Sequence, residues 1–480
     1  MAKRIIILSA SVGSGHNVAA GVLESYFRQA PDVEMVEALD VLELTPDFYH
    51  KVYGEAYFAA VDAVPWLIGW SYDRNDLPFR TEELVSVWDQ LNTTAVVKKI
   101  KAYQPDVVVC THFLPAKLVS ILLARGTLLA TMSVITTDYD FQGLWLSTPF
   151  NRFFVARDET RAYMVDIGLP SDRITVSGIP VKPVFSQAVE REAVLARYQL
   201  RPDVPMLLIS AGAAGGTYTQ TIVEQTLRMR NAFQAVVLCG RNEELKDKIT
   251  ALVAPQADRY RVVGIITDMP DLMRVATLFV GKPGGLSSSE CMAAGLPMVL
   301  INPIPGQEVR NSDFLLEEGA AIRCNYATTV GYKIDCLLDD PDRVRRMAAS
   351  ALKLGRVDAA QQIVTTVLAE PIEPLWISRD AQGAIRTAVK EGLSARHADP
   401  DRCVRTLVED ATGVSVGVVT LAQLQTLAQV IHGDIHLDVP HLVTPALLAN
   451  LNHPGDVRDL QWLLKRILGK AEEKMLKVEA

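Results

Sequence analysis

Ile5-Ile6-Ile7-Leu8 runs directly into Ser9-Ala10-Ser11-Val12-Gly13-Ser14-Gly15-His16-Asn17, and a helix-compatible stretch continues to about Phe27. Four aliphatic residues in a row, followed at once by serines and glycines, read as a short strand buried on both faces. The glycines let the backbone turn sharply from strand into helix. The same strand–turn–helix beat recurs outward from this point. Val107–Cys110, Met132–Thr136, Phe153–Val155 and Ile174–Val176 are predicted strands with helices between them. After the connector Ile179-Pro180-Val181-Lys182-Pro183 the beat restarts: Met206–Ser210, Ala235–Cys239, Tyr260–Val263, Leu278–Val280 and Met298–Ile301 are the next strands. Apolar strands alternating with helices imply parallel sheets covered on both faces. The restart implies two Rossmann-like α/β domains, residues 1–180 and 181–370, and residues 371–480 read as a helical extension. In such sheets ligands bind beyond the carboxyl ends of the strands, so the predicted site is the cleft between the two domains.

Composition removes several classes of function. The chain has 480 residues, 49% of them hydrophobic and 22% charged, with 48 Lys+Arg against 56 Asp+Glu and a formal charge of −8. That is a folded, multidomain composition without the global positive field that collects nucleic acid. Six cysteines (Cys110, Cys239, Cys291, Cys324, Cys336, Cys403) show no C-x-x-C pair, so they read as small buried hydrophobes of a reducing compartment. The run Ile5–Leu8 is too short for a signal peptide. The window Leu118–Ile135 is interrupted by Arg125-Gly126, whereas a membrane span needs about 20 apolar residues. The expected location is cytoplasmic.

Several loops at strand ends carry chemistry. His16 stands at the start of the first helix, where the helix dipole and desolvation favour neutral imidazole, the form that accepts a proton; it also reads as a simple cap of its own helix. Val280-Gly281-Lys282-Pro283-Gly284-Gly285-Leu286-Ser287-Ser288-Ser289-Glu290 follows a buried strand. Gly284, Gly285 and the serines would open a helix and offer free N–H groups to a diphosphate, and Glu290 could accept two hydrogen bonds from a ribose diol. Ala211-Gly212-Ala213-Ala214-Gly215-Gly216 is a second flexible loop suited to phosphate. Pro305-Gly306-Gln307-Glu308 closes a third strand end, where Gln307 and Glu308 could hold sugar hydroxyls. Three such loops on one rim point to a nucleotide site, with no resident metal or cofactor expected. Asp138-Tyr139-Asp140 has the D-x-D form of a metal signature but lies in the wrong half for the phosphate loops. Asp138 is assigned instead to orienting His16 or meeting the acceptor. His112, at the end of another strand, reads more readily as structural than as an acceptor ligand.

Ser14-Gly15-His16-Asn17, Ser177-Gly178-Ile179-Pro180, Cys239-Gly240-Arg241-Asn242, the Gly281–Glu290 segment, Gly295-Leu296-Pro297 and Pro305-Gly306-Gln307-Glu308 occur in this order. Together, from residue 4 to about 325, they resemble the monogalactosyl- and glucosyl-diacylglycerol synthases. These are inverting GT-B glycosyltransferases that move a sugar from a UDP donor to diacylglycerol. The resemblance implies a GT-B fold and His16 as the base. It implies UDP contacts from Gly215, Gly216, Gly284, Gly285, Ser287 and Glu290, with Arg241, Gly264 and Ile265 near the phosphate and uracil, and donor-sugar contacts from Gln307 and Glu308. Two departures stand out: Gly212-Ala213-Ala214-Gly215-Gly216 lacks a further polar residue common in the family, and Leu286 stands where a Thr-like residue is frequent.

A lipid acceptor agrees with a local excess of aromatics. Nine lie in Pro46–Phe79: Phe48, Tyr49, Tyr53, Tyr57, Phe58, Trp66, Trp70, Tyr72 and Phe79. Trp66 and Trp70 are assigned to the membrane surface, giving peripheral association with its inner face. The same rings could pack the first domain. The tail carries His432-Gly433-Asp434-Ile435-His436-Leu437-Asp438, whose Gly433 and Pro440 disfavour a regular metal-binding helix, and an apolar-periodic stretch at Leu460–Leu476. Alternative readings are an undecaprenyl-linked lipid N-acetylglucosaminyltransferase, which favours a Gly-Gly-Thr-Gly-Gly-His loop, a soluble UDP-sugar hydrolase or epimerase, and a non-catalytic nucleotide-sugar-binding module.

Overall fold

The structure, a computed structural model, describes residues 2–45 and 94–370 except 14, 125–127, 129, 148–149, 168, 170 and 211–217. The aromatic stretch with Trp66 and Trp70, the loop with Gly215 and Gly216, and the whole 371–480 extension lie outside the described residues.

Strands β1 (Lys3–Ser9), β2 (Val33–Asp40), β3 (Val107–Cys110), β4 (Thr131–Ile135), β5 (Arg152–Val155) and β6 (Ile174–Val176) form one sheet in the order β2-β1-β3-β4-β5-β6. Every pairing is parallel. Strand β1 shows why four aliphatics in a row suit this position. Ile6 and Leu8 enter a core with Val108, Met132 and Val134 on one face, while Ile5 and Ile7 enter another with Leu23 and Phe27 on the opposite face. All four are fully buried, each contributing roughly 1.5–3 kcal/mol of transfer free energy. Helix α1 (Gly15–Phe27) covers the second face with Ala20, Val22, Leu23 and Phe27, and α2 (Thr94–Tyr103) and α3 (Phe113–Ala124) belong to the first.

A second parallel sheet is built from β7 (Met206–Ser210), β8 (Gln234–Leu238), β9 (Tyr260–Val263), β10 (Leu278–Gly281), β11 (Met298–Ile301) and β12 (Ala321–Cys324) in the order β12-β11-β10-β7-β8-β9. The strand order reverses between β1 and β3 in the first sheet and between β7 and β10 in the second. Crevices open at such reversals beyond the strand ends. They place His16, His112 and the loop after β10 in the cleft region. Cys110, Cys239, Cys291 and Cys324 are buried and unlinked, and Cys336 is half-buried.

The chain passes between the two halves twice. After residue 355 it returns, and helix Ala359–Ala369, contiguous in sequence with the second sheet, packs Ala360, Ile363, Val364 and Val367 against Ile5, Ile7 and Leu23 of the first. Lys3 Nζ donates to the carbonyls of Leu368 at 2.8 Å and Glu370 at 2.9 Å, and Arg152 pairs with Glu370. The two passages touch where Gly178 adopts φ +84°. A Cβ there would lie 2.5 Å from Arg356 Cβ, so glycine is required for space and for conformation alike.

Candidate active site

The turn after β1 delivers His16 into the first turn of α1, where the residue is half-buried. Its Nδ1 lies 3.0 Å from the Thr111 carbonyl oxygen and 2.8 Å from Thr137 Oγ1. A carbonyl can only accept, so Nδ1 carries the proton and the Nε2 lone pair is left free. Surrounding protein desolvates the ring and lowers its pKa below the ordinary 6.5. Asp138, the Thr111 carbonyl and Asp40 oppose that shift. At neutral pH the imidazole is an unprotonated base. Trp145 and His112 stand over it, with ring centroids 6.4 Å and 4.6 Å away, and Phe113 packs on both of those neighbours. Asp40, capping the 3₁₀ turn Val41–Leu44, accepts from Asn17 Nδ2 at 2.8 Å and from the amides of Leu42 and Ser11.

Segment 137–140, following β4, is a seam between the halves. Asp138 does not hydrogen-bond His16, and that part of its assigned role passes to Thr111 and Thr137. Asp138 Oδ1 accepts instead from Asn311 Nδ2 at 2.9 Å. The same Asn311 amide donates to the Pro283 carbonyl at 3.1 Å, and its oxygen accepts from the Tyr139 amide at 2.9 Å. Tyr139 meets Ser289 through its hydroxyl and stacks on Phe314 at 4.7 Å, and Asp140 pairs with Arg310. Burial raises the Asp138 pKa, against the opposing effects of Asn311 and His16. Each member of the D-x-D pattern is therefore engaged by the second half of the molecule.

The opposite wall is helix α9 (Gly285–Ala293), which starts at Gly284. Its first amides have no intrahelical acceptor and carry the positive end of the helix dipole. The two glycines differ. A Cβ on Gly284 would come no nearer than 4.0 Å to Glu308 Oε1, whereas one on Gly285 would sit 1.8 Å from the Thr137 carbonyl oxygen. Gly285 is thus fitted to the backbone of the first half, while Gly284 borders open space. A Cβ on Gly15 would lie 3.5 Å from Leu286 Cβ, so the starts of α1 and α9 abut.

Glu290 is 8% exposed, and its carboxylate has no hydrogen-bond partner among the described residues. Burial raises its pKa to about 7, opposed by Lys182. Glu308, at the start of α10 (Gln307–Glu317), accepts from the Ile304 amide at 2.7 Å. Its pKa is also raised by burial, with Lys282 opposing. Gln307 is half-buried beside it, and Ser287 is half-buried in the first turn of α9. Farther along the rim, Arg241 is exposed just before Asn242, which caps α7 (Glu243–Val253) by accepting from the Leu245 amide at 2.8 Å. A Cβ on Gly264 would be 3.4 Å from the Gly240 carbonyl, placing the Arg241 and Gly264 loops in one corner, and Ile265 is 67% exposed. The residues expected in the site thus fall into three groups: His16 with Asp138 at the seam, Gly284, Gly285, Ser287, Glu290, Gln307 and Glu308 on the facing wall, and Arg241, Gly264 and Ile265 on the outer rim. Thr111, Thr137, Trp145, Lys182 and Lys282 were not singled out by sequence reading; Thr111 acts through its carbonyl, which no side-chain pattern announces.

Two parallel sheets whose reversal loops meet across a seam define the GT-B fold. Acinetobacter baumannii MurG superposes with TM-score 0.51 at 17% identity, covering 77% of this chain and 100% of that one. Staphylococcus aureus MnaA, solved with UDP, superposes with TM-score 0.53 at 12% identity, covering 76% and 96%. These likenesses establish the fold. The sequence profile of monogalactosyldiacylglycerol (MGDG) synthase matches residues 16–181, and that of the glycosyltransferase family 28 C-terminal domain matches residues 206–363. The processive diacylglycerol β-glucosyltransferase of Bacillus cereus (strain AH187) is 29% identical over 382 residues, 77% of this chain and 95% of that protein. The protein of the same name from Bacillus mycoides (strain KBAB4) is 29% identical over 377 residues, 76% and 94%. These matches bear out the resemblance to the monogalactosyl- and glucosyl-diacylglycerol synthases.

Proposed function

We propose that this protein transfers a hexose from a UDP-sugar to diacylglycerol with inversion, using His16 as general base. The observation that carries the reading is the juxtaposition of a free imidazole Nε2 with the amino end of α9 across the seam. In the proposed step the acceptor hydroxyl gives its proton to His16 Nε2 and its oxygen bonds to the anomeric carbon. The carbon–oxygen bond to the diphosphate breaks with its electron pair leaving on UDP. The amides opening α9, with Lys182 and Lys282 nearby, supply positive potential for that departing charge. The Gly215-Gly216 loop is assigned to the same phosphates and Arg241 to their outer side. Gly264 and Ile265 take the uracil, Glu290 the ribose diol, and Gln307 and Glu308 the sugar. No metal is assigned. The apolar wall of Trp145 and Phe113 beside the base suits a hydroxyl borne on a lipid, and the 46–79 stretch with Trp66 and Trp70 is assigned to the membrane surface. No helix among the described residues is long and apolar enough to cross a membrane.

The test is purified protein with labelled UDP-glucose, UDP-galactose and UDP-glucuronate, with and without diacylglycerol vesicles. Lipid-dependent transfer is expected. His16→Ala should lower it by three or more orders of magnitude, the scale of losing a general base, while UDP affinity stays within about twofold. Sugar release without lipid would establish a hydrolase instead, and binding without turnover a non-catalytic module.

A further inference from the structure

Among the described residues, His112 is the one imidazole beside His16, and the proposed reaction leaves it without a task. It lies between β3 and α3, is 2% exposed, and caps α3: its Nδ1 accepts from the Leu114 amide at 3.1 Å. A backbone amide is always the donor, so Nδ1 has no proton and Nε2 must carry it. Burial, reinforced by His16, lowers the pKa of His112 far below the ordinary imidazole range, so the ring stays neutral and keeps that tautomer. The Nε2–H has no hydrogen-bond partner among the described residues, so it is left to donate to a ligand. The two rings stand edge to face at 88° with centroids 4.6 Å apart. Hydrogen bonding fixes them in opposite senses: His16 offers a lone pair at Nε2, and His112 offers a proton at Nε2.

We propose that His112 is an acceptor-positioning residue whose Nε2–H holds an ester carbonyl of the diacylglycerol while His16 takes the proton of the neighbouring hydroxyl. This rests on the proposed function, because it needs a lipid acceptor. A glycerol diester carries a donor hydroxyl and acceptor carbonyls a few bonds apart, which matches a base and a donor held side by side. Phe113 and Trp145, packed on His112 with centroids at 4.2 Å and 6.2 Å, exclude competing water from the donor. They also provide apolar surface for the start of an acyl chain.

The experiment compares 1,2-diacylglycerol with its 1,2-dialkyl ether analogue, which keeps the hydroxyl and lacks both carbonyls. His112→Asn is the main variant, because an asparagine oxygen can still cap Leu114 while the distal donor is lost. His112→Phe, which keeps the ring and removes both nitrogens, is the second. Folding is monitored by UDP affinity, which should stay within about twofold of wild type. Wild type should use the diester about tenfold better than the diether in kcat/KM, the scale of one hydrogen bond to a neutral group. Both variants should lose about tenfold on the diester and less than threefold on the diether. Equal losses on the two lipids, or no loss on the diester, would overturn the assignment. If wild type transfers sugar to neither lipid, the proposed function itself fails, a result visible before any variant is made.

Discussion

Replacing Glu290 by Gln tests the wall formed by α9 through stability first and ligand second. The folded protein holds this carboxyl at about 7 against an ordinary 4.5, and the cause is burial. A raised acid favours folding while it is protonated and loses that advantage as pH rises through its folded value. With those two values, linkage gives a contribution against folding of roughly 0.8 kcal/mol at pH 5 and roughly 3 kcal/mol at pH 8. Wild type should therefore lose about 2.5 kcal/mol relative to Glu290→Gln between these pH values. Urea unfolding of both proteins across pH 5–8, followed by a probe in the second half, measures the difference and cancels every other titrating group. Saturating UDP should narrow the gap, because hydroxyl donors on the ribose would stabilise the ionised carboxylate. Parallel curves for the two proteins would refute a buried, unpartnered carboxyl on this helix, and with it the reserved place for a diol.

Gly285→Ala should separate the halves: the added methyl meets the Thr137 carbonyl at 1.8 Å, and overpacking of this kind costs about 1–3 kcal/mol. A larger radius of gyration by small-angle scattering and an activity loss of about tenfold or more are expected; an unchanged radius with full activity would contradict the seam. The acid limb of the kcat/KM profile should lie below 6.5, since burial lowers the His16 pKa, and Asp138→Asn should push it lower still by removing the charge that most opposes the shift. Asn311 can still donate to the new amide oxygen. A limb that moves to higher pH in this variant would reverse the electrostatic assignment.

Short strands rich in aliphatic and β-branched residues were legible in the sequence because a parallel sheet covered by helices favours such side chains. Val107–Cys110, Ile174–Val176, Met206–Ser210, Tyr260–Val263 and Met298–Ile301 have the expected limits. Strands β2 and β12 were not foreseen. In β2 the charged residues Glu34, Glu37 and Asp40 interrupt the apolar run, and β12 is four residues long with Arg323 among them; edge position alone does not hide a strand, since the edge strands β6 and β9 were foreseen. In the candidate site, His16 and the glycine-rich loop after β10 stood out because turn chemistry is local. The partners of His16 did not, since Thr111 and Thr137 are 95 and 121 residues away in sequence. Asp138-Tyr139-Asp140 shows the limit of a three-residue pattern. Whether it faces a metal or another domain depends on Asn311, Ser289 and Arg310, more than 140 residues downstream, and no spacing within the motif reports them.

The contact of Gly178 with Arg356 joins the halves by two tethers lying side by side, which leaves a swing about that line and resists sliding or twisting of one sheet over the other. A protein assembled by exchanging halves between relatives would have to carry the returning helix Ala359–Ala369 along with the first half, although it is encoded at the far end of the second. Cut at the obvious midpoint, the first half would lose Ala360, Ile363, Val364 and Val367 from the cluster around Ile5 and Ile7, leaving α1 to cover that face alone.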